Sequence, residues 1–253
     1  MKIIEDVYYT GDKHEMQMLD VYLPEKQSFP VLVYFHGGGF IGGCRKDFVF
    51  FSHLVEMGVA VVSVEYRMYP DALYPDFIRD AAASVAWAQK NMTQYGNIEG
   101  IFIGGSSAGG YLTQILCFDK KYLALHDIDA DSITGYIMDA GQPTVHFNVL
   151  KERGLDLRRV IIDEAAPIFH ISDERNYPPM KIIVSDNDIE NRYEQTCLLV
   201  STLKHFGFEE KVDFNYIKNS NHCEYVNKIS PDGRSVFADM VYDFISKTLK
   251  ETD

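Results

Sequence analysis

Ser107 lies in the run Gly104-Gly105-Ser106-Ser107-Ala108-Gly109-Gly110, directly after the apolar stretch Ile101-Phe102-Ile103 and directly before Tyr111-Leu112-Thr113-Gln114-Ile115-Leu116. Only one register of this run satisfies Gly-x-Ser-x-Gly, and it selects Ser107. A strand-to-helix turn sharp enough to lift a hydroxyl above a sheet holds its serine in a strained conformation, tolerable only if the near neighbours lack bulk. Gly105, Ala108 and Gly109 meet that demand. The helix that follows aims its N-terminal amides at the same place and favours negative charge there. The plain alternative is a glycine-rich anion loop or a tight packing turn.

A second glycine run, His36-Gly37-Gly38-Gly39-Phe40, follows the strand Pro30-Val31-Leu32-Val33-Tyr34-Phe35. Consecutive glycines let backbone N–H groups turn toward a substrate oxygen where a side chain would block approach. The amides of Gly38 and Gly39, with that of Ala108, are the expected oxyanion hole. His36 reads as the anchor of this loop rather than as a reacting group. Without a reaction to serve, the segment is an ordinary turn between strand and helix.

A serine hydroxyl needs a base to take its proton, and the base needs a carboxylate to orient it. Where the serine sits on such an elbow, the partners follow it in chain order, acid before base. The strand Met180-Lys181-Ile182-Ile183-Val184 empties into Ser185-Asp186-Asn187-Asp188-Ile189-Glu190, at the sheet edge where open α/β folds place their sites. Asp188 is the expected acid, Asp186 is the alternative, and capping of the next helix is the structural role open to either. Val212-Asp213-Phe214-Asn215-Tyr216-Ile217 empties into Asn219-Ser220-Asn221-His222-Cys223-Glu224, so His222 is the expected base. His205 falls in the last turn of a helix, His170 precedes the acid, and Cys223 reads as a packing residue.

Eight short apolar runs, near 3–9, 18–23, 30–35, 59–64, 100–103, 133–138, 181–185 and 211–217, alternate with segments of helical period. That alternation predicts a mostly parallel sheet covered on both faces, with helices at 47–57, 76–93, 108–118, 191–206 and 233–249. The first two strands are joined through Thr10-Gly11-Asp12 with no helix between them, which predicts an antiparallel hairpin. Residues 142–179 break the alternation, with Pro143, Gly154, Pro167 and Pro178-Pro179, and are expected to form a short cap-like insert in a single domain spanning 1–253, the plain alternative being an ordinary crossover helix with ragged ends.

The chain has 253 residues, 46% of them hydrophobic, enough for one large core, which excludes disordered and mini-protein classes. Its 24 basic against 37 acidic residues give a net charge of −13, so nucleic-acid and anionic-membrane partners are not expected. Two uncharged stretches, 27–44 and 100–118, carry five glycines each and read as strand, turn and helix start rather than membrane spans. Four scattered cysteines show no CxxC pair and no zinc spacing, so free thiols and no metal are expected. The acidic start Met1-Lys2-Ile3-Ile4-Glu5-Asp6 precludes an apolar signal region, and cytoplasmic residence follows as the expectation.

Together these elements resemble the serine carboxylesterases of the α/β-hydrolase fold, specifically the hormone-sensitive-lipase-like group and the short bacterial esterases active on acetylated or feruloylated sugars. The resemblance spans Leu19-Asp20-Val21-Tyr22-Leu23-Pro24, the box at 36–40, Glu65-Tyr66-Arg67 followed by Pro70, Pro75 with Asp80 and Trp87, the elbow, the acid turn and His222. The sequence departs from the pattern at Ser106, where an Asp or Glu is usual, at Ser185, where a glycine is usual, and at Asp188-Ile189-Glu190, where Asp-Pro-Leu is common. It also lacks a long N-terminal cap.

The resemblance implies hydrolysis of a small-molecule carboxylic ester through an acyl-enzyme, needing no cofactor. Ser107 would attack, His222 would carry the proton, Asp188 would orient it, and Gly38, Gly39 and Ala108 would hold the oxyanion. A short insert predicts a shallow site for short acyl chains. Phe40, Tyr69, Tyr74 and Phe147 stand near the expected mouth and could stack on a sugar or cinnamoyl ring. The same triad would serve an amidase or small-peptide hydrolase, and a non-catalytic role is a further alternative. The sequence is compatible with a homo-oligomer.

Overall fold

Consecutive apolar residues in a strand need cover on both faces of the sheet, and Val31-Leu32-Val33-Tyr34-Phe35 shows how that demand is met. Val31, Val33 and Phe35 enter one buried cluster, whereas Leu32 and Tyr34 enter another on the opposite face. The computed structural model describes residues 1–46 and 48–252. Its strands are β1 (Lys2–Tyr8), β2 (Met18–Leu23), β3 (Ser28–Phe35), β4 (Ala60–Val64), β5 (Asn97–Ser106), β6 (Gly135–Asp139), β7 (Met180–Asn187) and β8 (Val212–Asn221). They form one sheet in the order β1-β2-β4-β3-β5-β6-β7-β8. The leading hairpin β1–β2 and the pair β2–β4 are antiparallel, and every pairing from β4 to β8 is parallel. Parallel strands end at one common edge, so the segments after β3, β5, β7 and β8 emerge side by side.

The helices are α1 (Phe50–Met57), α2 (Asp76–Asn91), α3 (Ala108–Phe118), α4 (Lys121–Ala124), α5 (Phe147–Glu152), α6 (Arg192–His205) and α7 (Val236–Thr252). Side chains of α1 and α7 fill one cluster, and those of α2, α3 and α6 fill the other. The helix expected at 47–57 starts at Phe50; Asp47 lies outside the described residues. The one expected at 233–249 starts three residues later, because the Ser235 hydroxyl accepts the Ala238 N–H at 3.2 Å and caps the first turn. The long helix expected at 76–93 gives way after Asn91 to a 3-10 turn, Met92–Gln94. The short helix α4 was not expected from periodicity, since one turn carries too little pattern.

Residues 142–179 hold α5 and a 3-10 turn, Pro167–His170, with irregular chain between. This segment is fastened to the sheet's cover. The Tyr111 hydroxyl on α3 donates to the Ala165 carbonyl at 2.7 Å, and Val145, Val149, Leu150, Ala165 and Ala166 are buried in the larger cluster. Among the described residues no helix is long and apolar enough to cross a membrane.

Asp80 on α2 is nearly fully buried and ties three segments together. It accepts from Arg67 Nε and Nη2, both at 2.8 Å, from the Arg67 N–H at 3.0 Å and from Gln17 Nε2 at 2.6 Å. Removing one partner of such a buried ionic cluster costs about 3–5 kcal/mol, because the remaining groups lose their acceptor. Asp80→Ala is therefore expected to lower the urea midpoint of unfolding by that equivalent, and an unchanged midpoint would contradict this account of Asp80.

Candidate active site

Ser107 has φ 57° and ψ −112°, a backbone conformation that costs free energy unless the surroundings impose it. The surroundings here are two bare backbones. A Cβ on Gly109 would stand 1.9 Å from the Phe35 carbonyl oxygen, and one on Gly105 would stand 2.5 Å from the Gly109 carbonyl carbon. The end of β3, the elbow and the start of α3 are in contact through atoms that only glycine leaves exposed. The Ser107 N–H donates to the Asp139 carbonyl at 2.8 Å, which pins the elbow to the end of β6 as well.

The three residues expected from the sequence meet at the strand ends. Ser107 Oγ lies 2.7 Å from His222 Nε2, and His222 Nδ1 lies 2.5 Å from Asp188 Oδ1. With Nδ1–H donating to the carboxylate, Nε2 is the acceptor for the serine proton. Asp188 is 1% exposed and His222 22% by side chain, so the acid is shielded while the imidazole reaches the surface. Burial pushes the Asp188 carboxyl up, but the hydrogen bonds from His222, Ile189 N–H and Ser185 together hold it below the ordinary range. The departure at Ser185 thus has a use: its hydroxyl donates to Asp188 Oδ2 at 2.9 Å.

The alternatives fall elsewhere. Asp186 accepts the N–H groups of Asn219 at 2.8 Å and Ser220 at 3.1 Å, and those two bonds hold its carboxyl low. It fastens the loop that carries His222. His170 contacts the Glu164 carbonyl at 2.9 Å, and the His205 ring packs on Phe206. Cys223 Sγ is 3.7 Å from His222 Nε2, and burial raises the thiol so that it stays protonated.

The loop 36–40 is held from three sides. His36 Nε2 meets Glu65 Oε1 at 2.7 Å, its ring stacks on Tyr66 at 4.4 Å, and the Tyr66 hydroxyl donates to the His36 carbonyl at 2.7 Å. His36 is an anchor, and Glu65-Tyr66-Arg67 is the segment that grips both this loop and Asp80. Gly38 has φ 109°, and a Cβ there would stand 2.0 Å from the Gly42 carbonyl oxygen, so the turn requires glycine. A Cβ on Gly37 would stand 3.2 Å from Ser107 Cβ, which places the loop against the elbow. Asn148 on α5 donates its amide to the Gly39 carbonyl. Ala108 occupies the first position of α3, where a helix leaves its N–H groups without intrahelical acceptors.

The BD-FAE family model matches residues 19–148, just over half of the chain, including the glycine loop and the elbow. The chain belongs to the BD-FAE family. Esterase LipC of Mycobacterium tuberculosis is 29% identical over 213 residues, covering 74% of this chain and 52% of LipC. Carboxylesterase NlhH of the same organism is 38% identical over 101 residues, covering 38% of this chain and 32% of NlhH. The chain thus spans about half the length of LipC, and its match to NlhH spans about a third of that relative. Esterase B from Lactobacillus rhamnosis superimposes with a TM-score of 0.80 at 18% identity, covering 100% of this chain and 87% of that one. A truncated carbohydrate esterase from gut microbiota superimposes with a TM-score of 0.79 at 17% identity, covering 98% of this chain and 96% of that one. The fold of this BD-FAE chain is the α/β-hydrolase fold they share.

One cavity opens at the meeting point, and a second lies beyond Phe147 and Ile189. The first, of about 240 Å³, is bounded by Gly37, Gly38, Ser107, His222, Cys223 and Val226. The other, of about 310 Å³, lies between the insert and the turn after β7 and includes Phe147, Ile189 and Arg192. Of the four aromatics expected at the mouth, Phe147 lines this second cavity. Phe40 does not line either: it is 1% exposed, stacked on Phe77 at 4.1 Å and edge-on to Tyr66 and Tyr111, because the turn at φ 65° drives its ring into the core. Tyr69 and Tyr74 also stand away from both cavities. Lys151 lies over the Tyr69 ring, while Tyr74 donates its N–H to Glu152 at 2.9 Å and its hydroxyl to the Glu164 carbonyl at 3.3 Å. Both tyrosines clamp the insert.

Under the elbow of the BD-FAE chain lies a buried polar cluster that the sequence reading missed. Asp139, at the end of β6, is 0% exposed and accepts from the hydroxyls of Ser106 and Tyr225. Since Ser106 donates to Asp139, Tyr34 must donate to Ser106, at 2.6 Å. The departure at Ser106 thus places a hydroxyl where it bridges β3 and β6. Burial pushes the Asp139 carboxyl from its ordinary 3.8 up to about 6, against the lowering pull of Ser106, Tyr225 and the nearby His222. Between those two values the native chain keeps a proton that the unfolded chain has lost, so this contribution to stability is present below about pH 4 and is lost as pH rises through about 6. The difference in unfolding free energy between wild type and Asp139→Asn is therefore expected to shift in favour of the variant from pH 4 to pH 7. A difference that stays constant over that range would contradict the assignment.

Proposed function

We propose that this protein is a serine carboxylesterase that cleaves short-chain carboxylic esters, with acetylated or feruloylated sugar fragments as the substrate class. The reading is carried by the chain of contacts Ser107 Oγ, His222 Nε2, His222 Nδ1 and Asp188 Oδ1, at 2.7 and 2.5 Å, beside the glycine loop and the first turn of α3. Ser107 Oγ attacks the ester carbonyl carbon while its proton passes to His222 Nε2. The negative charge that develops on the carbonyl oxygen is met by the N–H groups of Gly38 and Gly39 in the glycine loop and of Ala108 at the start of α3, where the helix dipole adds to the hydrogen bonds. His222 then protonates the leaving alcohol, the C–O bond breaks, and an acyl group remains on Ser107. A water gives its proton to His222 and attacks the acyl carbon, after which the bond from that carbon to Ser107 Oγ breaks, His222 returns the proton to Oγ and the carboxylic acid leaves. The chemistry is complete with these groups and calls for no metal or organic cofactor.

The cavity of about 240 Å³ around Ser107 is small and partly apolar, which suits an acetyl or similarly short acyl group. The names of two relatives, esterase LipC and carboxylesterase NlhH, and the carbohydrate esterase among the solved structures agree with ester chemistry and with a sugar as the alcohol.

Steady-state hydrolysis of nitrophenyl esters tests the reading. The acetate is expected to be turned over far faster than the decanoate, and Asp188→Asn is expected to lower kcat about 10⁴-fold by losing the orienting acceptor. Ser107→Ala is expected to abolish the acyl-enzyme burst. An Asp188→Asn enzyme within a few-fold of wild type, or a burst that survives Ser107→Ala, would refute the roles assigned.

A further inference from the structure

The second cavity is cationic in a chain that is otherwise strongly acidic. Arg158, Arg159 and Arg192 line it, against Glu190 as the one carboxylate in its wall among the described residues. Arg158 is exposed and already paired with Asp156, with Nη2 2.5 Å from Oδ2. Arg192 differs in kind. It is 3% exposed, and its guanidinium donates to the Ala140 carbonyl and, at 3.2 Å, to Gln142 Oε1, both neutral acceptors. Among the described residues no carboxylate lies within ion-pair reach of Arg159 or Arg192. A buried cation with only neutral acceptors carries an uncompensated desolvation cost. That cost appears as a guanidinium drawn below its ordinary value by burial, with Asp188 only partly opposing it.

Two residues of the cavity wall neighbour the site. Phe147 in its wall stands 3.3 Å from where a Gly39 Cβ would be. Ile189, also in its wall, donates its N–H to Asp188 Oδ1 at 2.7 Å. Of the two cavities this one is the larger and the more polar, the character that the alcohol part of a sugar ester needs when its acyl group occupies the other.

We infer that the cavity between the insert and α6 binds a carboxylate carried by the alcohol part of the ester, so that acyl esters of acidic sugars are preferred over those of neutral sugars. This rests on the esterase reading for the scissile bond, but the binding of the carboxylate does not depend on hydrolysis. Arg192 supplies a fixed, desolvated charge at the floor, and Arg158 and Arg159 close over the anion from the rim. At long range the net negative protein repels such a substrate, so the preference comes from contact within the cavity.

Two arms test the inference. In the first, acetate release is compared for an acetylated methyl glucuronoside and the matching acetylated methyl glucoside. The acidic ester is expected to show kcat/KM about tenfold higher, the size of one charge-assisted contact, and the ratio is expected to collapse in the Arg158→Glu/Arg159→Glu variant. These two side chains are at the surface, and a circular dichroism melt verifies that the variant folds. In the second arm, calorimetry on Ser107→Ala compares unacetylated methyl glucuronoside with methyl glucoside, and the acid is expected to bind about tenfold more tightly. Turnover of the neutral ester at an equal or higher rate overturns the inference while leaving the esterase reading intact. If neither ester is cleaved, the esterase reading fails, and the calorimetric arm alone decides the cavity: equal or undetectable binding of the two glycosides overturns it.

Discussion

The approach of Gly109 to the Phe35 carbonyl is the constraint from which the site is built. Because no side chain intervenes, α3 begins directly against the end of β3, and the turn between β5 and α3 has no freedom to relax. Ser107 is left at φ 57° with its hydroxyl above the sheet. The same contact sets the glycine loop beside the elbow, since that loop is the continuation of β3. The two elements that would meet a developing oxyanion, the glycine loop and the first turn of α3, are thus placed by one close packing of backbones, which a single methyl group would push apart.

The remaining elements are held by polar contacts that span the sheet edge. Glu65 and Tyr66, just beyond β4, grip His36 and its carbonyl, while Arg67 continues into Asp80 on α2. Asp186 ties the end of β7 to the loop leaving β8, which brings Asp188 and His222 together so that they bond at 2.5 Å. Asp139 ties β6 to the elbow through its carbonyl and to the segment after His222 through Tyr225. Each loop that carries a reacting group is fixed by a neighbour strand's terminal residue. This is the practical value of a parallel sheet, whose strand ends are neighbours.

Much of this was legible in the sequence because the signals are local. All eight strands appear where short apolar runs stand, and the elbow, the acid turn and His222 follow from strand ends in chain order. The misses are contacts between distant segments. Nothing near Phe40 says that its turn rotates the ring onto Phe77 rather than toward solvent, and Tyr69 and Tyr74 turn to the insert because Lys151, Glu152 and Glu164 await them there. Asp139 reads as an ordinary strand-end carboxylate until Tyr225 is folded onto it. Ser106 and Ser185, departures from the family pattern in sequence, are each explained by a hydroxyl that bonds a carboxylate, Asp139 in one case and Asp188 in the other. Arg192 is an exposed-looking helix start in sequence, and only the packing of α6 against residues 140–142 buries it.

The proposed chemistry is most directly tested by a crystal structure of the protein after reaction with a short-chain alkyl phosphonate ester, a tetrahedral mimic of the attacked carbonyl. The account predicts phosphorus bonded to Ser107 Oγ, with one phosphonyl oxygen about 2.7–3.1 Å from the N–H groups of Gly38, Gly39 and Ala108. Phosphorus on any other residue, or an adduct on Ser107 whose oxygens point to solvent away from those amides, would contradict it.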